Sequence, residues 1–586
     1  MSKNKASELD NLRHSAAHLL AAAVMELYPD AKRTIGPAIE NGFYFDFDFG
    51  DTKITDEDIL KIEAKMHDLA PSWKSFERHE LTSDEAKGEY TNNEYKLELI
   101  KEFSQKGETL TFYKSGDYWD LCRGGHVDHP DQELKHFKLL SIAGAYWRGD
   151  EKNTMLTRIY GTIFETQKEL DEYLLMIEES KKRDHRKLGR ELDLFTFADE
   201  VGPGLVLWTP RGTVIKDELE QWARDTERKW GYKRVSTPHI AKHTLFEISG
   251  HLPYYKDDMY SPMDIDGEEY YLKGMNCPHH HMIYKSTPKS YRDLPLRYAE
   301  YGMVYRYEQS GTLFGLMRVR ALEQNDAHIY CREEDAEAEF LQVLKLHEYF
   351  YQTLGLTKDD YRIVIGLPDE AKRDKYHGDR ALWEKAERMM RGAIEKSGIK
   401  HADDIGGAAF YGPKVDFNVK SSIGREFSIS TCQLDLYMPT RFGLDFTNEN
   451  GERENVAVIH RAPLGSHERF VGFLIEHFAG NFPTWLSPVQ VKILPITDRN
   501  LDYAKEIYEK LFENNIRVEI DERAETLSAK IRDGVTQKLP YMIIIGDRDQ
   551  SANKISVRSR SKGDLGSMEL NDFKSLLAEE ISSKAL

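Results

Sequence analysis

The sequence has 586 residues, 40% of them hydrophobic and 31% charged, with a formal net charge of −19. That length exceeds what one hydrophobic core organises, so three or four domains are expected, and the composition fits a globular protein rather than a disordered or membrane chain. No apolar run is long enough to span a bilayer, and the acidic balance excludes indiscriminate coating of nucleic acid, so any contact with RNA must be local.

The opening stretch, MSKNKASELDNLRHSAAHLLAAAV, has a basic start and an apolar run interrupted by His14 and His18. It predicts an amphipathic helix, not a cleaved leader. Residues 1–165 mix short helical and strand-like stretches and end in the strand-turn segment SIAGAYWRGDEKNTMLTRIYG. Residues 166–190 predict one charged connecting helix, with Leu170, Tyr173, Leu174 and Ile177 at helical spacing. Residues 191–487 alternate Gly-rich turns, β-rich runs and two long helices, the pattern of a large antiparallel-sheet domain. In residues 488–586, VQVKILPI, IRVEID and YMIIIGD predict strands, and LDYAKEIYEKLFENN and LSAKIRDGVTQKL predict helices, giving a small α/β domain. The fold class is therefore α+β and multidomain.

Cys122, Cys277, Cys331 and Cys432 are too few and too scattered for a disulfide framework, which points to a reducing cytoplasm. Basic clusters occur at Lys181–Arg183 with His185–Lys187, and from Lys554 through Arg558, Arg560 and Lys562. Each alone reads as solvated surface charge.

Two groups of residues carry chemistry. His14 and His18 lie four apart on the predicted helix, so both side chains project from one face. DLCRGGH then supplies Asp120, Cys122 and His126, with glycines that let the backbone approach closely. Three histidines, a cysteine and a carboxylate suit tetrahedral zinc. They equally suit metal-free hydrolysis, with histidines moving protons and the carboxylate orienting a water. Spacing does not choose between the two.

HSAAH followed by DLCRGGH resembles the editing domain of the threonyl- and alanyl-tRNA synthetases, which cleaves wrongly charged tRNA. In the threonyl family this site works without zinc, and Lys96, in NNEYKLE, falls where that family places a catalytic lysine. The resemblance thus implies an editing site of His14, His18, Lys96, Asp120, Cys122 and His126. Gly125 stands where the family usually has proline, a change expected to loosen the loop.

The resemblance to the threonyl-tRNA synthetases, a class II family, extends from about residue 8 to the end. MNCPHHH, QNDAH and VIHRA contain Cys277, His328 and His460, which no local spacing rule connects. Taken by residue type, each reads as a buried thiol or core histidine. The resemblance implies that they hold one Zn2+ with an open fourth position. A hydrophobic pocket separates threonine poorly from isosteric valine, whereas zinc that takes the amino group and hydroxyl offers valine nothing. Asp326 would receive the amino group or hydroxyl. Serine keeps both groups and lacks one methyl, worth ~1–3 kcal/mol, so a hydrolytic site is chemically required.

YGMVYRYEQSG followed by LMRVR resembles motif 2 of class II synthetases. That implies Arg306 on the α-phosphate of ATP, Glu308 on the adenine amino group and Arg318 on the γ-phosphate, with Mg2+ accompanying the nucleotide. LGSHERF resembles motif 3, implying Arg469 on the nucleotide and Ser466 in the substrate site. Guanidinium forks match phosphate oxygens and stabilise the departing pyrophosphate. FYGPK adds Tyr411 and Lys414, QLD adds Gln433, and Gln324 precedes Asp326 in the same implied substrate site. His251, in SGHLPYYKDDMY, falls where the family meets the tRNA acceptor end. DELEQWARDTERKWGYKRVSTP resembles motif 1, ending at Pro238, and implies a homodimer. The C-terminal domain resembles the anticodon-binding domain of several class II synthetases. Arg558 and Arg560 alternate along a predicted strand there and would share one face toward anticodon bases.

This chain departs from the family at His279 (usually glycine), at Leu322 (commonly an aromatic on adenine) and at Ser428 and Ser430 (usually glutamine and glycine). Loss of a stacking ring is worth ~0.5–1.5 kcal/mol of ATP binding. The small ubiquitin-like domain that many members carry ahead of the editing domain is expected to be missing. The expected function is ATP-dependent attachment of L-threonine to tRNA(Thr) through an adenylate, with editing of seryl-tRNA(Thr). Two alternatives are a regulatory RNA-binding paralogue that has lost ligation and a stand-alone editing hydrolase. Retention of Arg306, Arg469, Cys277, His328 and His460 opposes the first, and the presence of the core and C-terminal domains opposes the second.

Overall fold

The structure is a computed structural model describing residues 3–420 and 426–586. It divides into two compact bodies, Met1–Ile177 and Glu178–Leu586.

The first body is organised by the helix Lys3–Leu27. Every residue from Ser15 to Val24 is buried, because all of them but His18 are apolar or small, around the whole helix, and belong in a core rather than on a surface. Full burial of Leu19 and Leu20 contributes about 1.5–3 kcal/mol each. Against the helix lies an antiparallel sheet whose main strands are Gly42–Asp48, Met155–Phe164 and His136–Tyr146. Alternation in the first strand buries Phe43, Phe45 and Phe47. Phe43 sits opposite Gly161, where a Cβ would come within 2.5 Å of its ring. A smaller sheet of Glu77–Leu81, Leu110–Ser115 and Tyr118–Leu121 carries Asp120 and delivers Cys122 just beyond its last strand.

The connector is not one helix. Gln167–Arg183 ends at Asp184, whose non-helical backbone (φ −49°, ψ 120°) breaks the turn. Asp184 then caps a second helix, His185–Glu191, by accepting from the Arg186 amide.

The second body contains an eight-stranded sheet. Its six inner strands, in spatial order Leu296–Tyr305, Ala321–Cys331, Ala457–Ala462, Glu426–Asp435, Lys414–Lys420 and Tyr361–Leu367, are antiparallel. Short parallel strands, Lys233–Arg234 and His401–Ile405, close its edges. Three long helices lie in this region where two were expected: Pro210–Lys229, which contains the start of the segment that resembles motif 1, Ala336–Thr353 and Arg380–Ser397. Register sets the site: His328 pairs with His460, His460 with Gln433, and Gln433 with Lys414. Directly opposed residues share a face, so these side chains form one row across the sheet.

The C-terminal sheet has three parallel strands, Val518–Ile520, Val491–Pro495 and Tyr541–Ile545, continued by antiparallel Ile555–Ser559 and Gly563–Met568. Arg517 fastens it to the rest of this body, donating to the carbonyls of Trp485 (2.6 Å) and Ser487 (2.9 Å) and pairing with Glu218 of the helix Pro210–Lys229.

Candidate functional sites

In the first body, His14, His18, Lys96, Asp120 and Cys122 line a cavity of about 500 Å³. Cys122 Sγ lies 3.0 Å from His14 Nε2 and 3.3 Å from His126 Nε2, and it accepts the Gly124 amide at 3.2 Å. Phe76 stacks on His126 at 4.0 Å and Ser15 Oγ lies 3.3 Å from its Nδ1, which fixes the ring. Burial pushes the Cys122 thiol up to about 11 and His126 down to about 3, and it lowers His14 and His18 as well. At neutral pH the quartet is therefore a thiol among uncharged imidazoles. Its four donor atoms lie within 4.8 Å of one another, close enough to hold a cation.

The charge of this site sits one layer deeper. Burial penalises the Asp120 carboxylate, but Lys96 at 3.0 Å and Arg33 at 3.1 Å outweigh it and hold the carboxyl well below its usual range. Tyr90, Tyr118 and the Leu121 amide also donate to Asp120. Arg33, Tyr90 and Tyr118 carried no motif by which the sequence could announce them. Gly124 and Gly125 have φ of +94° and +88°. Proline fixes φ near −65°, so the usual family proline could not take this backbone, and Gly125 builds a different turn instead of merely a looser one.

In the second body, a pocket of about 280 Å³ is lined by Cys277, Asp326, His328, Tyr411, Gln433 and His460, among others. The ligand atoms of Cys277, His328 and His460 lie within 4.8 Å of one another, and all three residues are buried. Further groups orient them: His280 Nδ1 is 2.8 Å from His328 Nδ1, Glu300 Oε1 is 3.1 Å from His280 Nε2, and Asp435 Oδ2 is 3.2 Å from His460 Nε2. Carboxylates behind ligating histidines are the usual support of a metal site. Burial raises the Cys277 thiol and pushes His328 well down. A cation would reverse the first effect and suit the second, because it binds thiolate and neutral imidazole. The donor set therefore fits a metal ion. Asp326 accepts from Asn276 at 3.1 Å, and burial raises its carboxyl. His280, Asn276, Glu300 and Asp435 were not singled out from sequence, although His280 lies in the conspicuous run MNCPHHH.

A neighbouring pocket of about 310 Å³ shares Arg306, Gln324, Lys414 and Gln433 with the first and adds Glu308, Arg318, Ser466 and Arg469. Glu308 pairs with Arg318 at 2.8 Å, and Lys414 with Asp416 at 2.7 Å. Arg306 donates to the Gly274 carbonyl at 3.3 Å, and Arg469 to the carbonyls of Met317 (3.1 Å) and Ser428 (3.3 Å). Ser466 caps the helix His467–His477 by accepting the Arg469 amide. Tyr411 donates to Gln433. Leu322, Ser428 and Ser430 line this pocket, and Ser430 bonds to Tyr351. His251 is buried 2.6 Å from Ser249 Oγ and 2.7 Å from Met275 Sδ, and burial pushes it down to about 3. His279 packs against Phe246, with neither ring nitrogen partnered among the described residues.

A third cluster, Glu220, Glu323 and His467, also has donor atoms within 4.8 Å. Lys216 holds Glu323, and Arg224 and Arg234 hold Glu220, so cations already occupy the carboxylates.

Arg558 is exposed on the strand Ile555–Ser559. Arg560 is not its partner on that face. It lies past the strand end, and its guanidinium donates to the carbonyls of Lys538, Asn481 (3.1 Å) and Phe482 (2.6 Å). Alternation along a strand stops applying where the strand stops, and three backbone carbonyls capture the side chain.

Comparison with known proteins agrees with this architecture. Residues 260–478 match the tRNA synthetase class II core domain (G, H, P, S and T), residues 490–580 the anticodon binding domain, and residues 110–160 the threonyl and alanyl tRNA synthetase second additional domain. The core and site thus define a class II aminoacyl-tRNA synthetase. The threonine–tRNA ligase of Cytophaga hutchinsonii is 46% identical over 97% of this chain and 88% of its own length. That of Deinococcus radiodurans is 48% identical over 95% and 86%. The crystal structure of the RNA binding domain of threonyl-tRNA synthetase from Cryptosporidium parvum superimposes with a TM-score of 0.64 at 33% identity, covering 68% of this chain and 98% of that one. The chain belongs to the threonine–tRNA ligase family.

Proposed function

We propose that this chain activates L-threonine with ATP, transfers it to tRNA(Thr), and hydrolyses seryl-tRNA(Thr) in its N-terminal body. One observation carries the ligase reading: register aligns His328, His460, Gln433 and Lys414 across the sheet, and this row adjoins Arg306, Arg318 and Arg469 in the next pocket. Amino-acid selection and nucleotide binding thereby meet at Arg306, Gln324 and Lys414, which line both pockets.

Cys277, His328 and His460 would hold Zn2+, which when bound supplies a Lewis-acid contact for the amino and hydroxyl groups of threonine. Asp326, Tyr411 and Gln433 orient the amino acid beside it. Arg306 and Arg469 draw the α-phosphate toward the carboxylate, Glu308 takes the adenine amino group, and Arg318 receives the γ-phosphate with its Mg2+. His251, next to Met275, meets the acceptor end of the tRNA. Arg558 presents an exposed cation to the anticodon, and the motif 1 helix Pro210–Lys229 forms the homodimer face. Among the described residues no helix is long and apolar enough to cross a membrane, and all four cysteines are free thiols, which suits the cytoplasm.

Threonine-dependent exchange of pyrophosphate into ATP tests this reading. Exchange is expected with threonine and not with valine, and its absence at saturating ATP and threonine refutes the ligase function. Metal analysis is expected to find one zinc per chain, lost in Cys277→Ala.

A further inference from the structure

His185 opens the second helix of the connector and is fully buried, at 0% exposure. Its Nε2 accepts the backbone N–H of Leu316 at 3.1 Å, and its Nδ1 lies 2.8 Å from Glu476 Oε1. With Nε2 accepting, Nδ1 must carry the proton and donate to Glu476, so a neutral imidazole satisfies both partners and a single tautomer is selected. Leu316 lies in the hairpin Phe314–Arg318, closed by backbone bonds between Phe314 and Arg318. The hairpin turns at Gly315, whose φ is +48° and where a Cβ would lie 2.2 Å from His185 Nε2. No side chain fits between the imidazole and the turn. Next to it, the Arg186 guanidinium covers the Phe314 ring at 4.4 Å. The hairpin ends in Arg318, and its Met317 carbonyl accepts from Arg469 at 3.1 Å.

We propose that His185 is a positioning residue for nucleotide binding: from the connector, it fixes the hairpin 314–318 so that Arg318 and Arg469 stand ready for the phosphates of ATP. The inference rests on the nucleotide role assigned above to Arg318. The run of basic residues around His185 therefore contains, besides solvated charge, one buried group whose two hydrogen bonds tie the connector to the ATP pocket.

Pyrophosphate exchange on the full chain tests it, with the KM of ATP and of threonine measured separately. His185→Leu leaves a buried amide and a carboxylate unpaired and is expected to raise the KM of ATP about tenfold, with the KM of threonine within about twofold. His185→Gln offers one donor and one acceptor at a similar separation and is expected to recover most of that loss. Arg186→Ala, on the exposed side of the hairpin, is expected to raise the KM of ATP about threefold. Equal rises in both KM values, or lowered thermal stability with the KM of ATP unchanged, overturn the assignment. Should His185→Leu fail to fold, Arg186→Ala decides, and an unchanged KM of ATP there overturns it. Arg318→Ala separates the two readings. A raised KM of ATP in that variant, with none in His185→Leu, removes only the role of His185, whereas no rise in Arg318→Ala removes the nucleotide assignment beneath it.

Discussion

Replacing Asp120 by asparagine tests the charge arrangement under the proofreading cavity. The carboxylate has Arg33, Tyr90 and the Leu121 amide on one oxygen and Lys96 and Tyr118 on the other. An asparagine keeps one acceptor. The least costly placement leaves its oxygen to Arg33 and turns its NH2 toward Lys96 and Tyr118. Tyr118 can rotate to accept, but the Lys96 ammonium, whose side chain is 4% exposed, then has no counter-charge. Breaking one side of a buried pair costs about 3–5 kcal/mol. An independent ceiling comes from the lysine itself, which can shed its proton at pH 7 for about 4.6 kcal/mol, roughly 3.4 units below its unfolded pKa at about 1.36 kcal/mol each. The ceiling caps that range, so Asp120→Asn should destabilise the first body by about 3–4.6 kcal/mol at pH 7. The sign with pH follows from the proton count. In the variant, Lys96 is neutral when folded and takes up a proton on unfolding, so stability rises with pH and the deficit shrinks by up to about 1.4 kcal/mol per unit toward the unfolded lysine pKa. In the parent, burial lowers Lys96 but Asp120 opposes it, giving a shallower slope. Hydrogen exchange of peptides covering Glu94–Gln105 and Tyr118–Leu121, at pH 7 and pH 9, reads this body separately from the rest. A loss under about 1 kcal/mol at pH 7, or an equal loss at both pH values, would refute the ion-pair argument, and amino-acid activation should be unchanged throughout.

The thiol of Cys122, pushed up to about 11, should react with iodoacetamide at pH 7 about a hundredfold more slowly than free cysteine, rising about tenfold per pH unit; peptide mass mapping at free-cysteine rates would contradict this. With His126 near 3 and the other two imidazoles lowered, the rate of seryl-tRNA hydrolysis should have no histidine inflexion between pH 6 and pH 8, and a step near 6.5 in the pH–rate profile would refute the neutral-imidazole assignment. Arg560→Ala removes three carbonyl contacts and should lower the urea midpoint of the C-terminal transition by an amount worth about 1–3 kcal/mol, whereas Arg558→Ala should raise the tRNA KM without a stability change; the reverse pattern would reinstate Arg560 as the RNA contact.

Much of the fold was legible because pattern and burial agree locally. The C-terminal strands and helices stand where short apolar runs and helical spacing put them: the strands Val491–Pro495 and Tyr541–Ile545 are buried on both faces, and the helix Leu501–Phe512 buries one. The connector failed as a single helix at one residue: Asp184 offers its carboxylate to a backbone amide two residues on, a bond that periodicity of apolar residues does not register. Arg560 failed for the same kind of reason. Two-residue periodicity holds inside a strand, and nothing in the local sequence marks the end at Ser559 or the carbonyls of Asn481 and Phe482 that wait beyond it.

The sites divide along a similar line. Residues that touch the cavities stood in compact motifs, because chemistry fixes both their type and their local spacing. Residues that hold those groups in place did not, because any element that reaches the site can supply them: Arg33 comes from 87 positions away to Asp120, and His185 from 131 positions away to Leu316. What selects such residues is a complete set of donors and acceptors in the folded state. Asp120 is a buried acceptor surrounded by donors, and His185 is a buried donor and acceptor with one partner for each. An uncompensated group in either place would cost about 1–3 kcal/mol or more. His279 lacks that signature, since neither of its nitrogens finds a partner among the described residues. Its presence beside Cys277 is therefore explained by packing against Phe246 and by no hydrogen bond, which separates it physically from His280, one residue on, whose ring bridges Glu300 and His328.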